Sequence, residues 1–196
     1  MPPDASLPSA ACLEPPVILD TLLSHESARD LRANLAAIRE PLALKPDQAW
    51  GSALAAAMAA RNAKVLAAVA AEGRPHLTPA QANGARIAAA LMGMNNVYFR
   101  FAHLVGAPEY AQMHPGLRMN SMKDPGVPRL DFELWALSAS IVTGCGWCID
   151  AHEKILRKEG ASPGMVQAVA RIAAVVHGAA LATEVAAVLD AAPVAA

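Results

Sequence analysis

Apolar positions recur three to four residues apart through most of the chain, the spacing of helix faces. Ala28, Leu31, Leu35 and Ile38 share one such face. Trp50, Leu54 and Met58 mark a second helix, and Val65, Leu66 and Val69 a third, with Pro41 and Pro46 separating the first two. Thr78-Pro79-Ala80-Gln81 is a strong helix start. Thr78 caps, Pro79 suits the first helical position and Gln81 completes a capping box. This helix is predicted to run to about Met92 and turn near Gly93, with another segment from Asn95 to about Leu104. Asn95 and Asn96 read as caps of that second segment, and Met92 and Met94 as helix packing. Glycines and prolines crowd residues 105 to 130, which predicts a long connection with one short helical turn. A helix follows from near Asp131 to near Gly144, and the next begins at the cysteines and ends before Gly160. Ser162-Pro163 opens another, and the last runs through Val175 to about Leu189. The joints are short, so neighbouring helices are expected antiparallel.

Two of these turns look alike. Leu91-Met92-Gly93-Met94-Asn95-Asn96-Val97 aligns with Val142-Thr143-Gly144-Cys145-Gly146-Trp147-Cys148. On that alignment Met94 and Val97 stand at the cysteine positions of a copy without redox chemistry. The expected organisation is a tail over residues 1 to 16, an all-helical domain over 17 to 190, and a second tail over 191 to 196. Within the domain, a degenerate half spans about 28 to 104 and a redox half about 131 to 190.

Composition agrees with helices. Hydrophobic residues make up 55% of the 196 and aromatics only 4%, and alanine, the best helix former, does most of the filling. Sheets draw on more β-branched and aromatic residues. A chain of this length buries roughly 70% of its extended surface and needs no disulfide to fold. With 16 basic and 17 acidic residues the net charge is -1, and no basic stripe suggests nucleic acid. Arg61 and Lys64 interrupt one apolar run, and Arg171, His177 and Glu184 another, so no membrane span is expected. The start, Met1-Pro2-Pro3-Asp4, lacks the basic and apolar stretches of a signal peptide. A soluble cytoplasmic protein is the expectation.

Three cysteines is an odd count, which argues against a disulfide-stapled secreted fold. Cys12 stands alone in the N-terminal tail, while Cys145 and Cys148 form a C-x-x-C. Following one helix end and opening the next, the pair meets unpaired N–H groups and a positive dipole end, which favour thiolate. His152 lies one turn beyond Cys148 and shares the face of both cysteines, where imidazole can accept or relay a thiol proton. Glu133 sits in the preceding helix. With those helices antiparallel, its carboxylate folds back to orient the imidazole. Acid, imidazole and thiol pair follow the logic of an activated nucleophile. Two other readings stay open at this point: buried structural cysteines, and a zinc site of Cys145, Cys148 and His152 that lacks a fourth ligand.

The order Glu133, Cys145-x-x-Cys148, His152 resembles the alkylhydroperoxidase D family of the carboxymuconolactone decarboxylase-like superfamily. Met92 to Val97, Pro115 to Asn120 and Phe132-Glu133-Leu134-Trp135 carry the likeness further, over roughly residues 28 to 190. The resemblance implies an all-α fold of two similar halves, a homotrimer and weak peroxidase activity. It also implies that the chain reduces a partner peroxiredoxin of the alkyl hydroperoxide reductase C type. Electrons would come as dihydrolipoamide from a lipoylated acyltransferase and dihydrolipoamide dehydrogenase, with no bound cofactor. Cys148 is the expected attacking thiolate, from the resemblance and its spacing from His152, although the reverse order is open. A family member carries histidine just before its second cysteine, where this chain has Trp147. That removes one proton carrier but leaves the Glu133–His152 relay. Two rival functions remain: a cofactor-free decarboxylase or lactone-processing enzyme of the same superfamily, and a non-catalytic redox adaptor.

Overall fold

A proline or a capping side chain opens nearly every long helix in this protein, and α10 shows the pattern. Pro163 takes the first helical position while Ser162 Oγ accepts from the Met165 N–H at 3.2 Å. The computed structural model describes residues 18–190. The two expected tails and Cys12 lie outside the described residues. Among those described, the regular elements are helical. Short pieces come first: α1 (Leu19–Leu22), α2 (Arg29–Ala33) and α3 (Ala36–Arg39). The body follows as α4 (Pro46–Ala60), α5 (Ala63–Gly73) and α6 (Pro79–Leu104). After α7 (Pro108–Gln112) come α8 (Arg129–Thr143), α9 (Gly146–Lys158) and α10 (Pro163–Leu189). The face expected at Ala28 to Ile38 is thus divided between a 3-10 turn, α2 and α3. The 105–130 connection holds a second short element, a 3-10 turn at Asn120–Met122.

The core forms where α8 packs against α4, α6, α9 and α10. Phe132, Leu134 and Trp135 of α8 are fully buried. Gly51 brings α4 close, because a Cβ there would overlap the indole of Trp135. Ala53, Ala55, Ala56 and Ala57 bury the rest of α4, so small side chains let the central pair approach.

The turn expected near Gly93 does not form. One 26-residue helix, α6, runs straight through it. A lone glycine costs about 1 kcal/mol against alanine, and burial of Ala88, Ala89, Met92, Asn95 and Asn96 along the same helix outweighs that. Asn95 and Asn96 are therefore buried mid-helix residues, not caps. In the same way, the segments expected after Ser162 and through Val175 are one helix of 27 residues. By length and hydropathy α10 is apolar enough to cross a membrane, despite Arg171, His177 and Glu184. Its Val169, Ile172, Ala173 and Val176 instead bury against the core, which is what makes it so apolar.

The internal repeat is real but has a different register. Pro46 and Arg129 each open a 15-residue helix, 83 positions apart. Ala63 and Gly146 open α5 and α9 at the same offset, and Pro79 and Pro163 open the long α6 and α10 at 84. The fold is thus two similar triplets, α4–α5–α6 and α8–α9–α10. Asn62 and Val65, not Met94 and Val97, stand where the second triplet has Cys145 and Cys148. Gly93 misleads because it matches Gly144 in type only. Gly144 ends α8 at φ +69°, a duty performed at the end of α4 by Arg61 at φ +61°.

Candidate active site

The turn that carries Cys145 and Cys148 is built by the end of α8. Gly144 takes the left-handed conformation that glycine adopts freely. The Gly144 N–H then donates to the Ile141 carbonyl at 3.1 Å and the Cys145 N–H to the Ser140 carbonyl at 3.3 Å, a Schellman ending. Residues of α6 clamp this end. Arg100 Nη1 donates to the Thr143 carbonyl at 2.6 Å, and Asn96 Nδ2 to Thr143 Oγ1 at 2.6 Å. Asn96 in turn accepts from Ser140 Oγ at 3.2 Å. The clamping roles of Asn96 and Arg100 leave no periodic signal in the sequence, because their partners lie 43 to 47 positions away.

Cys145 is the N-cap of α9, and its sulfur accepts from the Cys148 N–H at 3.3 Å. The two cysteines are joined as a disulfide, with Cα atoms 5.3 Å apart, so both sulfurs lie at the positive end of a 13-residue helix. Cys145 is fully buried and Cys148 is 6% exposed. Cys148 opens onto a cleft of about 320 Å³, lined also by Phe99, Trp147, Asp150 and Ala151. Trp147 is 38% exposed and its ring lies 5.4 Å from that of His103. It forms part of the approach to the sulfur. Among the described residues no group of three or more His, Cys, Asp or Glu is arranged to hold a metal ion.

Glu133 and His152 meet as expected. Glu133, wholly buried on α8, places Oε2 2.6 Å from His152 Nδ1. A carboxylate only accepts, so the Nδ1–H donates and the tautomer is set. A buried carboxylate requires charge compensation, and Arg129 supplies it. Its Nη2 lies 2.6 Å from Oε1, a charge contact whose alignment falls short of a hydrogen bond. Arg129 also donates to the Met122 carbonyl at 2.9 Å. Its place one turn before Glu133 is the signal available in the sequence.

The other face of the imidazole meets a sulfur. His152 Nε2 lies 3.1 Å from Met92 Sδ, across from α6. Met92 is thus more than the packing residue its helical spacing suggests. With the cysteine sulfurs bonded to each other, no hydrogen bond joins His152 to either cysteine among the described residues. The structure brings buried Glu133 and His152 together with half-exposed Arg129, one turn along α9 from Cys148. It adds Met92 as the neighbour of the nitrogen that would exchange a proton.

Known proteins resemble this chain over most of its length. Residues 108–191 match the model of the carboxymuconolactone decarboxylase family. A protein of Methylocella silvestris named alkyl hydroperoxide reductase AhpD is 49% identical over 159 residues, covering 81% of this chain and 89% of the relative. A protein of the same name from Rhodospirillum centenum is 49% identical over 164 residues, 84% and 85% of the two chains. One from Anaeromyxobacter dehalogenans is 48% identical over 161 residues, 82% and 87%.

Proposed function

This chain belongs to the alkylhydroperoxidase D family, and on that premise we propose that it is a thiol-dependent antioxidant enzyme of the alkyl hydroperoxide reductase type. It reduces alkyl hydroperoxides, regenerates a partner peroxiredoxin of the alkyl hydroperoxide reductase C type, or does both. The observation that carries this reading is the Cys145–Cys148 disulfide at the start of α9, with Cys148 opening on an apolar cleft.

Cys148 thiolate attacks the peroxide oxygen, the O–O bond breaks, and the alcohol leaves with a proton. The resulting sulfenic acid is resolved by the Cys145 thiol, forming the disulfide and releasing water. A dithiol restores the pair by exchange and leaves as its own disulfide. Dihydrolipoamide fits that role, supplied by a lipoylated acyltransferase and recharged by dihydrolipoamide dehydrogenase. Greater exposure of Cys148 than Cys145 supports Cys148 as the attacking residue. His152, held by Glu133, moves the thiol proton in the reduced state, directly or through water. Loss of the family histidine at Trp147 leaves that pair as the proton carrier. We place the enzyme in the cytoplasm as a homotrimer. Apolar side chains exposed near the α6–α7 corner, Leu104 at 70% and Met113 at 60%, support an assembly.

The test is peroxide consumption in a dihydrolipoamide-coupled assay, with and without a peroxiredoxin partner. Cys148→Ser is expected to lower turnover by about 10³-fold or more, the scale of losing a nucleophile. A large gain from the peroxiredoxin would make electron delivery the main role. Turnover unaffected by Cys148→Ser would end the dithiol reading.

A further inference from the structure

α4 and α8 end side by side, and between them, flanked by α6 and α10, lies a cavity of about 420 Å³. That is about fourteen water volumes at ~30 Å³ each, and it falls in the size range of small-molecule sites. The cavity shares no lining residue with the cleft at Cys148. Met58, Ala89, Val97 and Val142 give about half of its wall an alkyl surface, and with Val97 60% exposed the cavity opens to solvent. Asn96 is also on the wall, but both ends of its amide are already engaged by Thr143 and Ser140.

Two arginines and a histidine also line it, Arg61, Arg100 and His177, with no carboxylate among the lining residues. Arg61 makes no side-chain hydrogen bond or ion pair among the described residues. Arg100 uses Nη1 on the Thr143 carbonyl, which leaves its other donors available. Gly93 is the third observation. It sits fourteen residues after the proline that opens α6, the position that His177 occupies in α10. A Cβ at Gly93 would meet nothing within 4 Å. Glycine is the weakest helix former after proline, yet here it stands mid-helix at an exposed position on the wall of the groove.

An open groove with an alkyl stretch, two arginines and no acid complements a chain that ends in an anionic, fork-shaped head. We propose that this cavity binds an aliphatic carboxylate, with its alkyl chain between α6 and α10 and its head group held by Arg61 and Arg100. The site is separate from the Cys148 cleft, and Arg100 joins it to the end of α8 through the Thr143 carbonyl.

Isothermal titration of the full chain with decanoate tests this, with decylamine and acetate as controls for charge and chain. Decanoate is expected to bind saturably, acetate far more weakly, and decylamine not at all. Gly93→Leu fills the open space and is expected to abolish decanoate binding without lowering the melting temperature. Arg61→Gly keeps the left-handed backbone, removes one guanidinium and is expected to weaken binding roughly tenfold or more. Should Gly93→Leu fail to fold, Arg61→Gly decides. Absent decanoate binding, equal binding of decylamine, or affinity unchanged in the folded variants would overturn the proposal.

Discussion

The two triplets run the same backbone course to different ends. At the joint of the first, Arg61 turns the chain and Asn62 caps α5, its Oδ1 accepting from the Val65 N–H at 3.0 Å. At the joint of the second, Gly144 turns the chain and Cys145 caps α9, its sulfur accepting from the Cys148 N–H. In place of Glu133 the first triplet has Trp50, and in place of His152 it has Val69, both buried in the apolar core. Asn62 is further tied to Glu184 at 2.6 Å, so its polar atoms are committed to structure. The proposed redox centre thus differs from an ordinary helix cap in having sulfur at the cap, sulfur one turn on, and a hydrogen-bonded carboxylate and imidazole in the core beneath. The cap geometry alone is ordinary.

The sharpest way to break this comparison is to remove the pair beneath the cap. Glu133→Gln keeps the shape and loses the carboxylate. Peroxide consumption per enzyme is expected to fall about 10²-fold or more, the range of general acid–base contributions, while the Cys145–Cys148 disulfide still forms. Equal turnover would show that the acid is structural only.

The converse experiment copies the thiols without the pair. Asn62→Cys with Val65→Cys, made in a chain carrying Cys145→Ser and Cys148→Ser, is expected to form a disulfide by mass spectrometry. Its peroxide turnover is expected to stay at background, because neither Trp50 nor Val69 has a group that exchanges a proton near neutral pH.

The turn residues sharpen the contrast in stability. Gly144→Ala forces a side chain into left-handed space and is expected to cost about 1–2 kcal/mol in urea unfolding. Arg61→Gly relieves that same strain and is expected to add about 0.5–1 kcal/mol. Matching signs at the two joints would mean that the turns are not equivalent.

The smallest effect lies far from both joints. Arg39 bonds Asp20 at 2.6 Å and Glu72 at 2.7 Å, tying α1 and α5 to α3. The hydrogen bond from Arg39 holds the Asp20 carboxyl below its ordinary value. A depressed folded-state value adds stability above the unfolded pKa of about 3.9, and that stability fades as pH falls through the lower folded value. Asp20 is 45% exposed, so solvent screens the pair and Arg39→Gln is expected to cost about 0.5 kcal/mol at pH 7. The difference from the unaltered chain should shrink below about pH 4 in thermal unfolding.

Much of the site is legible in the amino-acid sequence. Cys145, Cys148 and His152 sit within eight residues, so helical spacing alone groups them. Glu133 is reachable because one tight turn folds its helix onto theirs. Arg129 is in reach by the same one-turn rule from Glu133. The roles of Met92, Asn96 and Arg100 are not legible, since these residues arrive from α6 through packing. Met92 carries no mark to separate a sulfur on an imidazole from a sulfur in a core.

The helical class, the caps at Thr78 and Ser162 and the turn between α8 and α9 follow from the amino-acid order alone, because they rest on interactions within one or two helical turns. Tertiary structure decided that α6 runs through Gly93, that the repeat is offset by 83 residues rather than anchored on that glycine, and that Met92 faces His152. It also opened the cavity between α6 and α10. Those outcomes depend on which distant surfaces bury each other, and burial across the fold can outweigh a local preference worth about 1 kcal/mol.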